Sequence, residues 1–355
     1  MKIYNVVKVP QGLGYDDVDY EALYQSGYTA GYASGYTDGQ EDCPGPIYRN
    51  KPMTFEILSA GTVIWKTQDE GTEVTIEYSK DKGLTWSSIT STDEGVAIPA
   101  QTGDIIQFRG YRGNQGIRCA TFSGTTAEFE LYGNLMSLVN GDDYQEIDTL
   151  KNMTADAFAK LFSFCPGLVD ASNLVLPATT LTFRCYIGMF YGCTSLTTAP
   201  ELPATTLAST CYTGMFRGCT SLTTSPELPA TTLTEFCYSN MFENCTSLTT
   251  APELPATILT DSCYNSMFKG CTSLTTAPEL PAKTLSYLCY FTMFSGCSNL
   301  NYIKCLATDI SATMCTHSWI MGVAPTGTFV KDANATWGTD YGYDGIPANW
   351  TVISE

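Results

Sequence analysis

A repeat of 26 residues occupies much of the second half of this 355-residue chain. The unit LPATTLTFRCYIGMFYGCTSLTTAPE begins at Leu176 and returns at Leu202, Leu228, Leu254 and Leu280. A unit of this length cannot bury an apolar side alone, so successive copies must stack on their neighbours. Imperfect copies flank the series, as expected where the ends of a stack meet water. The repeat therefore predicts a solenoid.

Each unit divides into two parts with different local patterns. Leu181, Cys185, Met189 and Phe190 recur at helical spacing, and Gly192 follows them, so this part predicts a short helix. The segment SLTTAPELP combines β-forming residues with a terminating proline, which predicts a short strand in a parallel ladder. The positions that stay fixed are predicted to form the repeat core, namely Cys185, Phe190, Cys193, Cys211, Phe216, Cys219, Cys237, Phe242, Cys245, Cys263, Phe268 and Cys271.

The fixed positions LP, L, CY, MF, GC and L follow the order of a known repeat. They resemble the BspA-like type of leucine-rich repeat, whose unit runs LPxxLxxIGxxAFxGCxxLxxI, over about residues 150–323. The resemblance implies a leucine-rich-repeat solenoid of short parallel strands and short helices. Proteins of this type act as non-catalytic surface and adhesion proteins of bacteria, and similar arrays occur in structural proteins of gut bacteriophages.

Twelve of the fifteen cysteines belong to the repeat. They form two columns, one from Cys185 to Cys315 and one from Cys165 to Cys297. Stacked copies of one position point their Cβ atoms in parallel, which favours buried, reduced thiols over disulfides within a column. A disulfide between the two columns remains an alternative. No cysteines follow the CxxC spacing of zinc sites, so no metal is predicted.

Some repeat positions change from copy to copy, and changing residues on a rigid scaffold are typical of a binding face. One such position holds the candidate binding face, namely Tyr191, Arg217, Glu243, Lys269 and Ser295. Drift at solvated positions is the alternative explanation. The fixed tyrosines, from Tyr186 to Tyr290, either form a carbohydrate-stacking ladder or pack between turns with their hydroxyls satisfied.

The first half of the chain contains alternating apolar segments such as TVIWKT and DIIQFRGY, which predict a small antiparallel β-sandwich of Ig-like type. Within it Ser79–Trp86 is similar to the Asp-box, a hairpin motif of sialidase propellers. A single copy predicts a structural turn, because Asp bonds local backbone and Gly supplies positive φ. A glycosidase would need two facing carboxylates, and no such pair stands out. We therefore expect neither enzymatic activity nor a cofactor.

Near the start of the chain, tyrosine and glycine each recur every four residues. A helix there would be stable only if its glycine face packed closely on another backbone, so the pattern favours self-association or docking. A disordered tail is the alternative. The predicted oligomerisation residues are Tyr24, Gly27, Tyr28, Gly31, Tyr32, Gly35, Tyr36 and Gly39.

The charge balance limits the possible partners. The net charge is −18 and the chain has a single histidine, His317. This charge disfavours nucleic acid and anionic lipid as partners. No long apolar run and no secretory leader is found, so neither membrane insertion nor Sec export is expected.

These observations predict a mixed α+β fold with four parts. They are an N-terminal helix and linker (1–46) for oligomerisation or anchoring, an Ig-like β-sandwich (47–134), the leucine-rich-repeat solenoid (135–323) and a C-terminal cap (324–355). The predicted function is that of a non-enzymatic bacteriophage virion structural protein, of fibre or decoration type, folded in the host cytoplasm. Its expected partners are copies of itself, with a trimer favoured, other virion proteins, and a host-surface glycan or protein. The alternative is an adhesin on the bacterial cell surface.

Overall fold

The computed structural model describes residues 46–68, 71–110, 117, 119–144, 155–338 and 344–355. Pro44–Glu355 form one compact unit. The predicted N-terminal helix and all of its oligomerisation residues lie outside the described residues. The four predicted domain boundaries therefore stay a prediction.

In the part of the chain that the structure describes, eight strands precede the repeats. They are β1 (Met53–Ser59), β2 (Gly61–Thr67), β3 (Thr75–Ser79), β4 (Ser87–Thr90), β5 (Val96–Ala100), β6 (Ile105–Arg109), β7 (Ala120–Thr121) and β8 (Glu128–Asn134). A ninth, β9 (Leu168–Val175), completes a six-stranded sheet in the order β4-β3-β6-β1-β8-β9, while β5, β2 and β7 form a second sheet. In β2, every second residue from Val63 to Thr67 is buried, which is the alternation of a half-buried strand.

Aromatic rings fill the space between these two sheets. Phe55 of β1 stacks on Phe129 of β8 with ring centroids 4.3 Å apart. Phe122 lies 4.9 Å from Phe55 and 4.8 Å from Trp65 of β2, so it joins the two sheets. All four rings are completely buried. The core of this part of the chain therefore lies between the two sheets.

The six-stranded sheet continues directly into the repeats. Strand β9 pairs with β8 in parallel, and its Asp170 forms a parallel bridge with Thr198 of the next copy. Further parallel bridges join Thr224 to Thr250 and Thr276 to Tyr302. Successive repeats therefore stack side by side, and the bridges that join them on this side are single, isolated ones. We call residues 155–323 the repeat stack.

The part of each repeat that was expected to be helical is a ribbon of consecutive turns. In the first copy the amides of Ile187 and Met189 donate to carbonyls three residues earlier. The intervening amides of Tyr186 and Gly188 donate instead to carbonyls of the next copy, 25 residues later. An α-helix would send every amide to the carbonyl four residues before it. Alternate amides of the ribbon thus bond neighbouring repeats to each other.

Left-handed residues at every fourth position explain why no helix forms. Arg184, Gly188 and Gly192 have φ of 57°, 56° and 72°, and the other copies repeat this arrangement. A left-handed residue cannot continue a right-handed helix without a steric cost. The buried residues Leu181, Cys185 and Met189 recur every four residues because the turns do, and this spacing is close to the 3.6 residues of a helix.

The predicted fold class is therefore wrong. The described chain is built mainly of strands in three sheets, not of the expected mixture of α and β. Its described helical segments are α1 (Pro46–Arg49), α2 (Ser137–Asn140) and the 3₁₀ turn Gly141–Asp143. The repeats contain turns in place of the short helices, so they do not form the predicted leucine-rich-repeat solenoid. No helix in the described residues is long and apolar enough to cross a membrane.

A third sheet and a group of tryptophans close the far end of the stack. Strands β10 (Tyr302–Cys305), β11 (Thr328–Lys331) and β12 (Thr351–Ser354) pair in parallel. Trp319 replaces the Met of earlier copies and lies 5.3 Å from Trp337, ring to ring. The Trp337 indole donates a 2.7 Å hydrogen bond to the carbonyl of Ala307. The larger rings cover the last repeat, which has no further copy to pack against.

Candidate binding surface

The repeat core consists of columns of equivalent side chains, and these columns restrict where the surface residues of each copy can lie. All twelve predicted core cysteines and phenylalanines are completely buried. The rings of Phe190 and Phe216 stack 5.5 Å apart, and those of Phe216 and Phe242 stack 5.7 Å apart. Because interiors are close-packed, such a column fixes the spacing and register of successive copies. Surface residues at equivalent positions are therefore held in straight rows.

The repeated tyrosines belong to this core. Tyr186, Tyr212 and Tyr238 are at most 2% exposed, and their rings stack 5.8 and 5.9 Å apart. They pack between turns and are not available for stacking on a carbohydrate. The hydroxyls of Tyr186 and Tyr238 have no hydrogen-bond partner, contrary to the expectation that these groups are satisfied. Burial raises the pKa of these tyrosines well above the usual value.

The cysteines form no disulfide among the described residues, where all fourteen are free and buried. From Cys193 onwards each thiol of the second column donates to a phenylalanine carbonyl of the preceding copy, as Cys193 does to Phe162 at 3.0 Å. Cys165, at the start of the column, donates to the carbonyl of Phe122 in the preceding β-sheet region. Burial raises the pKa of Cys193 and of Cys245 to about 12, so these thiols stay protonated near neutral pH. The described chain holds no cluster of three or more metal-ligating side chains.

The five residues of the candidate binding face lie in one column and largely engage each other. The Glu243 carboxylate accepts from Arg217 at 2.9 Å and lies 3.2 Å from the Lys269 ammonium. The Arg217 guanidinium also lies over the ring of Tyr191, 5.6 Å from its centroid. Glu243 and Ser295 are buried, while Tyr191, Arg217 and Lys269 are partly exposed. The structure thus brings these residues together, and the charges of Arg217, Glu243 and Lys269 are paired with one another.

The Asp-box residues form the expected hairpin turn. One Asp81 oxygen accepts from the hydroxyl of Ser79 at 2.7 Å and from the amide of Thr85 at 2.9 Å. The other accepts from the Thr85 hydroxyl at 2.6 Å. These bonds lower the pKa of Asp81 to about 2, with the Thr85 hydroxyl as the largest cause. Both carboxylate oxygens therefore serve the turn itself, which is a structural role.

A second row of changing residues was not among the predicted site residues. Phe183, Phe236, Tyr287 and Met314 are each between 42% and 48% exposed, although all are large and apolar. Phe183 and Tyr287 lie two residues before a cysteine of the first column, and Phe236 and Met314 lie one residue before it, at the turn where each ribbon begins. We call these four residues the aromatic edge. Variation at these two adjacent positions from copy to copy was the sequence signal that could have identified the edge.

Backbone hydrogen bonds show that the aromatic edge is continuous from one copy to the next. The amide of Phe236 donates to the carbonyl of Asp261, and the amide of Ser262 donates to that of Tyr287. On the other side, the amide of Thr210 donates to the carbonyl of Glu235. The two residues before the first-column cysteine in one copy therefore lie next to the same two residues in the following copy. Glu235 and Asp261 are both exposed, so carboxylates lie between the exposed rings.

Comparison with protein-family models, with curated proteins and with solved structures finds no match. The resemblance to BspA-like repeats therefore rests on the repeat sequence alone. Function has to be inferred from the surface that the repeat stack presents.

Proposed function

We propose that this chain is a non-enzymatic binding protein, a structural protein of a bacteriophage particle that presents its repeat stack to the host surface. One observation carries the proposal. A buried core that hardly changes between copies supports exposed positions that do change, such as Phe183, Ser209 and Glu235 at one equivalent place. Rigid scaffolds with variable surface positions are typical of recognition proteins.

The state of the cysteines favours folding in a reducing compartment. Fourteen free thiols are buried in the described residues, and exported proteins with many cysteines commonly form disulfides. A virion protein folds in the host cytoplasm before release, which suits these thiols. A bacterial surface adhesin would have to pass through an oxidising environment. The thiols therefore favour the virion protein over the adhesin.

Two observations support a binding role over a catalytic one. The Asp81 carboxylate is held by Ser79 and Thr85 within the hairpin turn. The Glu243 carboxylate is held between Arg217 and Lys269. Carboxylates saturated in this way are poor general acids or bases, because both catalytic roles need a free proton site near the substrate.

Immunogold electron microscopy with an antibody against the purified chain tests the proposal. We expect gold particles on bacteriophage particles, and we expect the labelled full chain to bind to cells of the host strain. Gold on the envelope of uninfected bacteria would establish the adhesin instead. A chain that labels particles but binds no host cell would contradict the recognition role.

The oligomeric state is a separate part of the proposal. The predicted homo-oligomer, with a trimer favoured, depends on residues 1–46, which include no described residue before Pro46. Light scattering of the full chain and of the chain lacking residues 1–46 tests it. We expect an oligomer for the first and a monomer for the second. The same oligomer for both would place the interface elsewhere.

A further inference from the structure

The aromatic edge presents rings at alternate copies of the repeat. Phe183, Phe236 and Tyr287 belong to the first, third and fifth copies, and each is more than 40% exposed. Phe183 and Tyr287 occupy the first place of the residue pair before the cysteine, and Phe236 occupies the second. The second and fourth copies have the smaller polar pairs Ser209-Thr210 and Asp261-Ser262 at this place. The edge is thus a row of separate rings with polar side chains between them, and it differs from a continuous apolar patch.

The stack sets the distance between these rings. Neighbouring parallel strands lie about 4.8 Å apart, and the core rings of successive copies lie 5.5 to 5.9 Å apart in the phenylalanine column and the first tyrosine pairs. One copy therefore advances the edge by about the length of one sugar in an extended pyranose chain. Two copies therefore advance the edge by about two sugars, and in a chain with a two-fold screw alternate sugars present the same face.

The chemistry of the edge also suits a sugar chain. A pyranose has an apolar face of C–H groups and a rim of hydroxyls. An exposed aromatic ring covers the apolar face, and carboxylates such as Glu235 and Asp261 accept hydrogen bonds from the hydroxyls. Aromatic side chains have only two rotatable bonds, so they lose little side-chain entropy on binding.

The charge of the edge argues against an acidic polymer. Arg184 is a cation at this edge, and it is paired with Asp156 at 3.0 Å. Glu235 and Asp261 are exposed carboxylates, and the whole chain has a net charge of −18. An anionic polysaccharide would be repelled at this surface. A row this narrow also falls short of the broad, contiguous surface that a stable protein partner buries.

We propose that the aromatic edge binds an extended, uncharged polysaccharide that runs along the stack, with sugars on Phe183, Phe236 and Tyr287. This inference rests on the proposed function, because it names the ligand class for host recognition. It places the binding surface on a different row of residues from Tyr191, Arg217 and Lys269.

Affinity electrophoresis of the full chain tests this inference, with native gels containing hydroxyethyl cellulose, arabinoxylan, glucomannan or, as the anionic comparison, polygalacturonate. The test variant combines Phe183→Ser, Phe236→Ser and Tyr287→Ser. Serine already occupies the equivalent positions at Ser209 and Ser262, so the backbone tolerates it. The matched control is Ile258→Thr, which removes an exposed apolar side chain and restores the residue found at the equivalent positions of neighbouring copies.

We expect at least one of the neutral polysaccharides to retard the wild type and the control, and the triple variant to lose about tenfold or more in affinity. Equal retardation of the triple variant and the wild type would overturn the inference. Retardation by polygalacturonate alone, or by no polysaccharide, would also overturn it. The proposed function would survive those results if the wild type still bound host cells. If the triple variant fails to fold, Phe236→Ser and Tyr287→Ser are tested separately, and each should lose part of the retardation while Ile258→Thr keeps it; no loss in either single variant would overturn the inference.

Discussion

The thiol of Cys219 donates a 3.1 Å hydrogen bond to the backbone carbonyl of Phe190, one copy earlier in the stack. Cys245 makes the same bond to Phe216, and Cys271 makes it to Phe242. Each bond joins two copies through a group that is small, apolar and yet a weak donor. This explains why cysteine, and not alanine or serine, occupies this column: alanine could not donate, and serine would bury a more polar group.

Thiol titration tests the state of these cysteines. In the native protein we expect the fourteen buried thiols to resist a thiol reagent, because burial excludes the reagent and suppresses the thiolate. After unfolding without reductant, all fifteen cysteines should react. A sample reduced before unfolding is the control. Several thiols missing only from the unreduced sample would show that the two columns are joined by disulfides.

The left-handed residues of the ribbon provide a second test. Gly214 has φ of 59°, and a Cβ placed there would lie 3.8 Å from its nearest neighbour, so space is available. Asn240 takes the same conformation at the equivalent position. We expect Gly214→Val to lower the free energy of unfolding by about 1–2 kcal/mol more than Gly214→Asn does, because valine is strained at positive φ.

Denaturant unfolding of the two Gly214 variants gives this difference directly. In a right-handed helix valine and asparagine have nearly the same propensity. Equal unfolding free energies for the two variants would therefore contradict the ribbon of turns and support the helix expected from the sequence.

Glu243 joins three copies of the repeat through its two ion pairs. Its side chain is 5% exposed, whereas Arg217 and Lys269 are nearly half exposed. We expect Glu243→Gln to lower the free energy of unfolding by about 1–2 kcal/mol, because the substitution leaves both cations without a counter-charge. Glu227→Gln, at an exposed position, is the control and should change little. An effect of Glu243→Gln no larger than the control would show that the column is not held by charge.

The Asp-box turn predicts a pH dependence. The pKa of Asp81 is lowered to about 2, so its bonds stabilise the fold at pH values above the usual carboxyl pKa, and this stabilisation is lost as pH falls towards 2. We expect Thr85→Val to raise the pKa of Asp81, because it removes the hydroxyl that is the largest cause of the shift. Thr85→Ser keeps a hydroxyl and should leave it low. A carboxyl titration by NMR that gives the same pKa in both variants would contradict this account of the turn.

Several features of the structure could be predicted from the sequence, because they follow from the repeat period alone. A spacing of 26 residues places Cys185 and Cys211 in one column whatever the local backbone, and the same holds for Phe190 and Phe216. The strand content of the first half followed from alternation in segments such as β2.

The local conformation of the repeat could not be predicted in the same way. A period of four residues is close to 3.6, so buried Leu181, Cys185 and Met189 match a helix nearly as well as a ribbon of turns. The distinguishing signal was the residue type at every fourth position. Gly188 and Gly192 in one copy become Asn240 and Asn244 in another, and these are the residues that best tolerate positive φ.

The candidate binding surface was only partly predictable for a different reason. Sequence variation marks a position as changeable, but it does not say whether the side chains there face solvent or each other. At the column from Tyr191 to Ser295, opposite charges in adjacent copies pair internally. At the aromatic edge, the neighbouring copies have no matching partner, so Phe236 and Tyr287 stay exposed.

The central claim is that a fixed core supports an exposed, variable edge, and two phenylalanines of one copy test it most directly. Phe242 is completely buried in the stacked column, while Phe236 is 42% exposed at the edge. We measure the free energy of unfolding of Phe242→Ala and of Phe236→Ala by denaturant titration. Loss of the core ring should cost about 3–5 kcal/mol, and loss of the edge ring about 0.5 kcal/mol or less. Similar costs for the two variants, or a larger cost at Phe236, would contradict the division into core and edge.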